Sequence, residues 1–122
     1  IAMAAGIKHL EILSREKDLY TNLNKKGDYF FNEIAKILEK RNAPCVSNYV
    51  GSLGNIFFTP DPVVDYESAQ KSDTREFGRY FHYMLDNQVH LGPSQFEAMF
   101  LSTVHSDEDM ALALDLIDKF FV

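Results

Sequence analysis

Between about Glu16 and Lys40 the apolar residues Leu19, Leu23, Gly27, Phe30, Ile34, Ile37 and Leu38 fall on one stripe of a helix. Lys25, Lys26, Asp28, Lys36 and Glu39 occupy the opposite side. A helix this long and this one-sided is stable only when a second layer covers the stripe. The chain must therefore fold as layers around it. The charged side reads as a solvated face, and its lysines are given no function. Asn42-Ala43-Pro44 ends the helix, because the residue before a proline is pushed out of helical geometry.

The covering layer is legible downstream. Val46–Val50 alternates as a strand, Gly51-Ser52 turns the chain, and Leu53–Thr59 returns as the second arm of a hairpin. Pro60-Asp61-Pro62 stops that arm. Asp65 to Ser72 is a connecting stretch with room for one helical turn. A third helix opens at Ser72-Asp73-Thr74-Arg75-Glu76, with Asp73 and Glu76 at capping-box spacing. Phe77, Phe81 and Met84 or Leu85 form its stripe, Tyr80 flanks it, and it ends near Asp86-Asn87. Val89-His90-Leu91 reads as a short strand and Phe100–Val104 as another. A last helix over residues 107 to 121 turns Met110, Ala113, Leu114, Ile117 and Phe121 inward. The expected fold class is α+β: a small, mainly antiparallel sheet of about four strands covered by helices.

The first 13 residues read as one more helix, with Met3, Ile7 and Leu10 on one face and Ala2, Ala4, Ala5 and Gly6 on the others. A helix that is small or apolar all round wants partners on every side, and nothing else in the chain supplies them. The chain also does not begin with Met. The expectation is that residues 1–13 pack on a missing larger domain and that residues 1–122 form a single domain of a bigger protein.

Composition excludes several functions. The 122 residues carry a net charge of -6, which argues against nucleic acid and anionic membrane surfaces as partners. The apolar runs are too short for a bilayer-spanning helix, and the N-terminus lacks the form of a signal peptide. Cys45 is alone, so there is no disulfide framework and no cysteine metal cluster, and a reducing compartment is expected. Gly51, Gly54 and Gly92 form no phosphate-cradling fingerprint. His9, His82, His90 and His105 are scattered without metal-ligand spacing, so no metal site is expected. A Cys45–His pair lacks an orienting third group. Asp107, Glu108 and Asp109 follow the N-cap residue Ser106 and complement the helix dipole rather than bind a cation.

One carboxylate escapes these explanations. Glu97 lies between the turn signal Gly92-Pro93 and the apolar run Ala98-Met99-Phe100-Leu101, in the short polar segment Ser94-Gln95-Phe96-Glu97. It serves neither capping nor an obvious solvated face. It sits where a loop mouth can present a single acid to a ligand. His105 precedes the Ser106 cap and is expected to order that loop.

The residues also carry a resemblance. Gly51-Ser52-Leu53 with Phe57-Phe58-Thr59, Lys71-Ser72-Asp73-Thr74 with Phe77, Phe81-His82 with Met84-Leu85, and Pro93-Ser94-Gln95-Phe96-Glu97-Ala98 with Phe100, Ser102-Thr103 and His105-Ser106-Asp107-Glu108-Asp109 resemble the C-terminal part of glutamate-1-semialdehyde 2,1-aminomutases. These are class III, fold-type I pyridoxal-phosphate enzymes. The resemblance covers nearly the whole chain, and Ile1-Ala2-Met3-Ala4-Ala5-Gly6 is similar to the helix opening that domain. It implies an intramolecular aminotransferase that converts glutamate 1-semialdehyde to 5-aminolevulinate for tetrapyrrole synthesis. It further implies a homodimer, a small amino-aldehyde substrate, pyridoxal or pyridoxamine 5'-phosphate as cofactor, and a cytoplasmic or plastid-stromal location. The cofactor lysine and the groups that hold the ring and phosphate lie upstream in the family. Lys36, Lys40 and Lys71 sit in no such motif, so no catalytic or cofactor-binding residue is expected here and the chain alone should be inactive. Glu97 is the one residue carried over, as a substrate-binding group. Related aminotransferases use an arginine in this region, so an acid favours a substrate presenting amines. Gly92 stands where the family usually has alanine, and Met99 where it usually has glycine. Two other readings stay open: the matching domain of another class III aminotransferase, and a stand-alone binding module.

Overall fold

The computed structural model describes residues 1–122. Five helices and three strands follow in the order α1 (Ala2–Arg15), α2 (Leu19–Lys40), β1 (Val46–Val50), β2 (Leu53–Phe57), α3 (Tyr66–Ala69), α4 (Thr74–Asp86), β3 (Met99–Phe100) and α5 (Asp107–Phe120). The strands form one antiparallel sheet in the order β1-β2-β3. The α+β class is as expected. The sheet has three strands rather than four, and its last strand is short.

Both departures have the same cause: backbone groups of the expected strands are already engaged. Val89 N donates to Met84 O at 2.9 Å and Gln88 N to Leu85 O at 2.9 Å. With Gln88 at φ 68 this is a Schellman close on α4. It consumes the first donor of the Val89–Leu91 segment, which runs on without a ladder. At the other site, Ser102 N donates to His105 Nδ1 at 3.1 Å and His105 N to Ser102 O at 3.2 Å. The chain turns there, so β3 ends at Phe100 although Leu101 N still reaches Ser52 O at 2.9 Å. The same Schellman geometry closes α2, through Ala43 N to Leu38 O at 3.0 Å and Asn42 at φ 50.

Helix starts follow the sequence with one change. Ser106 and Asp109 form a reciprocal capping box on α5, and Asp65 with Ser68 forms another on α3. Asp73 caps α4 by accepting from Arg75 N and Glu76 N. Glu76 does not return the bond, because Asp73 N already donates to Phe58 O at 2.8 Å. Its carboxylate instead takes Arg79 at 2.9 Å.

The core lies where α2, α4 and α5 meet one face of the sheet. Ile34 is fully buried, and Phe30, Leu38, Ile56, Phe77, Met84, Met110, Leu114 and Ile117 surround it. Phe58, Phe77, Tyr80, Phe120 and Phe121 form an aromatic cluster with centroid spacings from 5.0 to 6.4 Å. Burial of each such ring contributes about 1.5–3 kcal/mol. Phe31 belongs to this core as well, stacked on Tyr49 at 5.2 Å and 14°. It lies one position off the α2 stripe and reaches the sheet because β1 crosses that flank of the helix.

Gly27 sets how close helix and hairpin come. A Cβ there would overlap the carbonyl of Gly51 in the β1–β2 turn. At the other end, Arg41 grips Asp118 with Nε to Oδ1 at 2.8 Å and Nη2 to Oδ2 at 2.9 Å, joining α2 to the last turn of α5. The Arg41 hydrogen bond, aided by Lys40, holds the Asp118 carboxyl down at about 2. In contrast, α1 buries none of its residues, and Ile1, Met3, Ile7 and Leu10 are all exposed.

Two outcomes follow from this packing. Gly27→Ala gains about 1 kcal/mol of helix propensity but must move backbone in the β1–β2 turn. Chemical denaturation should show a net loss of about 1–3 kcal/mol; a gain would mean that the helix can lift off the hairpin freely. The Asp118 contribution has a definite sign, because its folded pKa lies below the ordinary carboxylate value. It is fully present at neutral pH and fades as pH falls from about 3.8 toward 2. Urea midpoints of wild type and Asp118→Asn should therefore differ at pH 7 and converge near pH 2.

Candidate functional site

The loop from Gly92 to Ala98 lies in the connection between α4 and β3 and runs directly into β3. Its first turn is local: Glu97 N donates to Ser94 O at 3.0 Å and Phe96 N to Ser94 Oγ at 3.2 Å. Phe96 turns outward onto Tyr66, with ring centroids 5.8 Å apart. Gln95 turns the other way and is 2% exposed. Its Nε2 donates to Ile56 O at 2.8 Å, its Oε1 accepts from Phe58 N at 3.4 Å, and its own carbonyl accepts from Asn55 Nδ2 at 2.7 Å. Glu97 is thus carried on a surface turn whose neighbour is anchored in the core.

Glu97 lies at the rim of a cleft of about 650 Å³ between this loop, β3, α2 and the start of α5. Phe30, Leu91, Met99 and Met110 provide apolar wall, and His90, His105 and Asp109 supply the remaining ionisable groups. The Glu97 side chain folds over Gly92. A Cβ at Gly92 would come within 2.7 Å of Glu97 Oε2 and 2.9 Å of Glu97 Cβ. Met99 also lines the cleft, so the two positions where the sequence departs from the resembling family flank the same carboxylate.

His105 and Asp109 are committed to structure. His105 Nδ1 accepts from Ser102 N, which leaves its proton on Nε2 and fixes the loop before α5 as expected from the sequence. Asp109 is the returning half of the α5 capping box. The Ser106 backbone N–H, then its hydroxyl, hold the Asp109 carboxyl below the usual carboxylate range. Lys26 leaves the solvated face of α2 and donates to the carbonyls of His105 and Thr103, locking α2 to that loop. No three His, Cys, Asp or Glu side chains converge to hold a metal ion. Cys45 is half-buried, and burial, followed by the charge of Glu76, pushes its thiol up to about 12. It is therefore a packed thiol rather than a nucleophile.

Sequence reasoning located Glu97 and the loop but missed what holds them. Gln95 read as one more polar loop residue, and Lys26 as part of a wet face. Their partners lie 37 to 79 residues away in sequence, a distance over which no periodicity carries a signal.

No family model matches the chain. Curated relatives do match it along its length. It is 44% identical over 120 residues, 98% of the chain, to glutamate-1-semialdehyde 2,1-aminomutase 1 of Lachnoclostridium phytofermentans. It is 44% identical over 121 residues, 99% of the chain, to the glutamate-1-semialdehyde 2,1-aminomutase of Persephonella marina, and 46% identical over 110 residues, 90% of the chain, to that of Chlorobium limicola. The chain spans only 25–28% of the length of these relatives. Among solved structures, it superposes on a transaminase with PLP bound at a TM-score of 0.75 and 20% identity, covering 98% of this chain and 26% of that one. A β-phenylalanine aminotransferase from Variovorax paradoxus gives the same TM-score and identity over 81% of this chain and 23% of that one. These likenesses show the fold: the small α+β unit of fold-type I transaminases.

The cleft does not fit pyridoxal phosphate by itself. Its walls carry two carboxylates and two imidazoles but no lysine, arginine, serine or threonine to take an aldehyde or a phosphate. Lys36, Lys40 and Lys119 are paired with Glu33, Asp118 and Asp115 on other faces. What the chain offers is an acidic rim on an apolar cleft. Over its whole length, the chain matches the C-terminal region of the glutamate-1-semialdehyde 2,1-aminomutase family.

Proposed function

We propose that this chain is the C-terminal small domain of a pyridoxal-phosphate-dependent, homodimeric glutamate-1-semialdehyde 2,1-aminomutase, and that Glu97 is its contribution to substrate binding. The observation that carries the reading is the similarity of 41–46% identity along the chain to relatives of that name, joined to the position of Glu97 at a cleft rim. The cofactor, held by the remainder of such a protein, supplies the electron sink for moving an amino group. This chain's part is electrostatic. A carboxylate at the rim attracts and orients an amine of the substrate through a charge-assisted hydrogen bond, which is worth more than a neutral one. The apolar wall of Leu91, Met99 and Met110 strengthens that interaction by excluding water. An arginine in the same place would select a carboxylate instead, as an ordinary transaminase requires.

The bare face of α1 fits the same proposal. Ile7 and Leu10 stand outward on a helix that buries none of its residues in this chain, as they would if they docked on the larger domain.

In the full-length enzyme, Glu97→Gln should lower kcat/KM for glutamate 1-semialdehyde about tenfold to a hundredfold, the loss of one hydrogen bond to a charged group. Glu97→Arg should lower it further while raising transamination with a carboxylate-bearing amino donor. Steady-state assays of both reactions check this, and unchanged mutase turnover in Glu97→Gln would remove Glu97 from the site.

A further inference from the structure

Gln95 is a polar side chain buried in a loop that otherwise lies at the surface. The edge of β2 explains it. On its far edge β2 pairs with β3 only at Leu53 and Gly54, so the backbone beyond has no strand beside it. The Gln95 amide takes that vacant place. Nε2–H donates to Ile56 O at 2.8 Å, and Oε1 accepts from Phe58 N at 3.4 Å. A carboxamide carries the same donor and acceptor as a peptide group, so one side chain continues the ladder where the chain itself does not. Asn55 closes the arrangement from β2 by donating to the Gln95 carbonyl at 2.7 Å.

Glu97 follows two residues later, and Met99 then pairs with Gly54. The carboxylate therefore rides on a short span fixed to β2 at both ends. Gly92 leaves open the space in which its side chain lies.

We propose that Gln95 is a positioning residue, which sets the Glu97 carboxylate at the cleft rim by standing in for a strand partner of β2. Its functional part rests on the reading of Glu97 as a substrate group; the clamp itself does not. Without the amide, Ile56 O and Phe58 N lose their partners, and the loop is held to β2 only through β3 and the Asn55 bond to the Gln95 carbonyl. A misplacement of the carboxylate on the order of 1 Å is enough to cost about a hundredfold in rate.

The experiment uses the full-length enzyme, with hydrogen–deuterium exchange across residues 92–100 and steady-state kinetics on glutamate 1-semialdehyde. The variants are Gln95→Met, Glu97→Gln and the double substitution. Methionine fills the space of glutamine without its amide. Gln95→Met should speed exchange in residues 92–100 roughly tenfold, by loss of local protection, while α2 and α5 exchange as in wild type. Its kcat should fall on the order of tenfold, and the double variant should be no slower than Glu97→Gln alone, since the two residues act as a unit. Unchanged exchange in Gln95→Met overturns the proposal, and so does a double variant in which the two kcat losses multiply. If Gln95→Met does not fold, Asn55→Ser removes the Asn55–Gln95 bond together with the bond from Ile56 N to Asn55 Oδ1, and should show the same pattern about threefold weaker; no change in exchange there overturns it equally. Wild-type turnover in Glu97→Gln alone removes the substrate role from Glu97 and leaves the exchange result to decide on Gln95.

Discussion

A strand in the middle of a sheet must satisfy hydrogen-bonding groups on both of its edges, and β2 has a full partner on only one. β1 covers one edge with five residue pairs, from Val46–Phe57 to Val50–Leu53. The other edge meets a strand of two residues. Leaving buried peptide groups unpaired costs on the order of 1–3 kcal/mol each, so the rest of the fold has to answer that deficit. It does so with pieces of different kinds: Leu101 N reaches Ser52 O, Asp73 N reaches Phe58 O, and the Gln95 side chain takes Ile56 and Phe58. The start of β3, the start of α4 and the Glu97 loop are all located by what β2 lacks.

This explains which parts of the structure the sequence disclosed. Elements set by their own residues were legible. The stripe from Leu19 to Leu38 produces α2, Ser106 with its three acids starts α5, and Gly51-Ser52 turns the hairpin. Elements set by competition for backbone groups were not. Val89–Leu91 is apolar enough for a strand, but its first N–H is held by the close of α4. Phe100–Val104 opens on the unbroken apolar run Ala98-Met99-Phe100-Leu101, but His105 turns the chain back. Phe31 shows the same limit in packing, since its burial depends on where β1 crosses α2 rather than on helical period. Glu97 stands out in the sequence because a lone acid between Phe96 and Ala98 has no local use, whereas Gln95 looks like an ordinary loop residue until its distant partners are seen.

The electrostatic character of the cleft is equally one-sided. Glu97 and Asp109 face it with no lysine or arginine in its lining, and the chain as a whole carries -6. The helix dipole and capping bonds absorb the charge of Asp109, whereas the Glu97 side chain is exposed at the cleft. A surface of this sign disfavours anionic groups and favours cationic ones.

The bare first helix has a consequence in helix–coil terms. Fourteen residues, one of them a mid-helix glycine, with neither a side-chain cap nor an acid in the first turn, fall short of what propagation needs to repay nucleation in water. Nothing in the fold beneath makes good that shortfall. Under the proposal that α1 docks on a larger domain, winding of the helix and burial of Met3, Ile7 and Leu10 become a single cooperative event. A joint of this kind is stiff when engaged and slack when not, so it transmits the presence of a neighbour into the orientation of everything downstream.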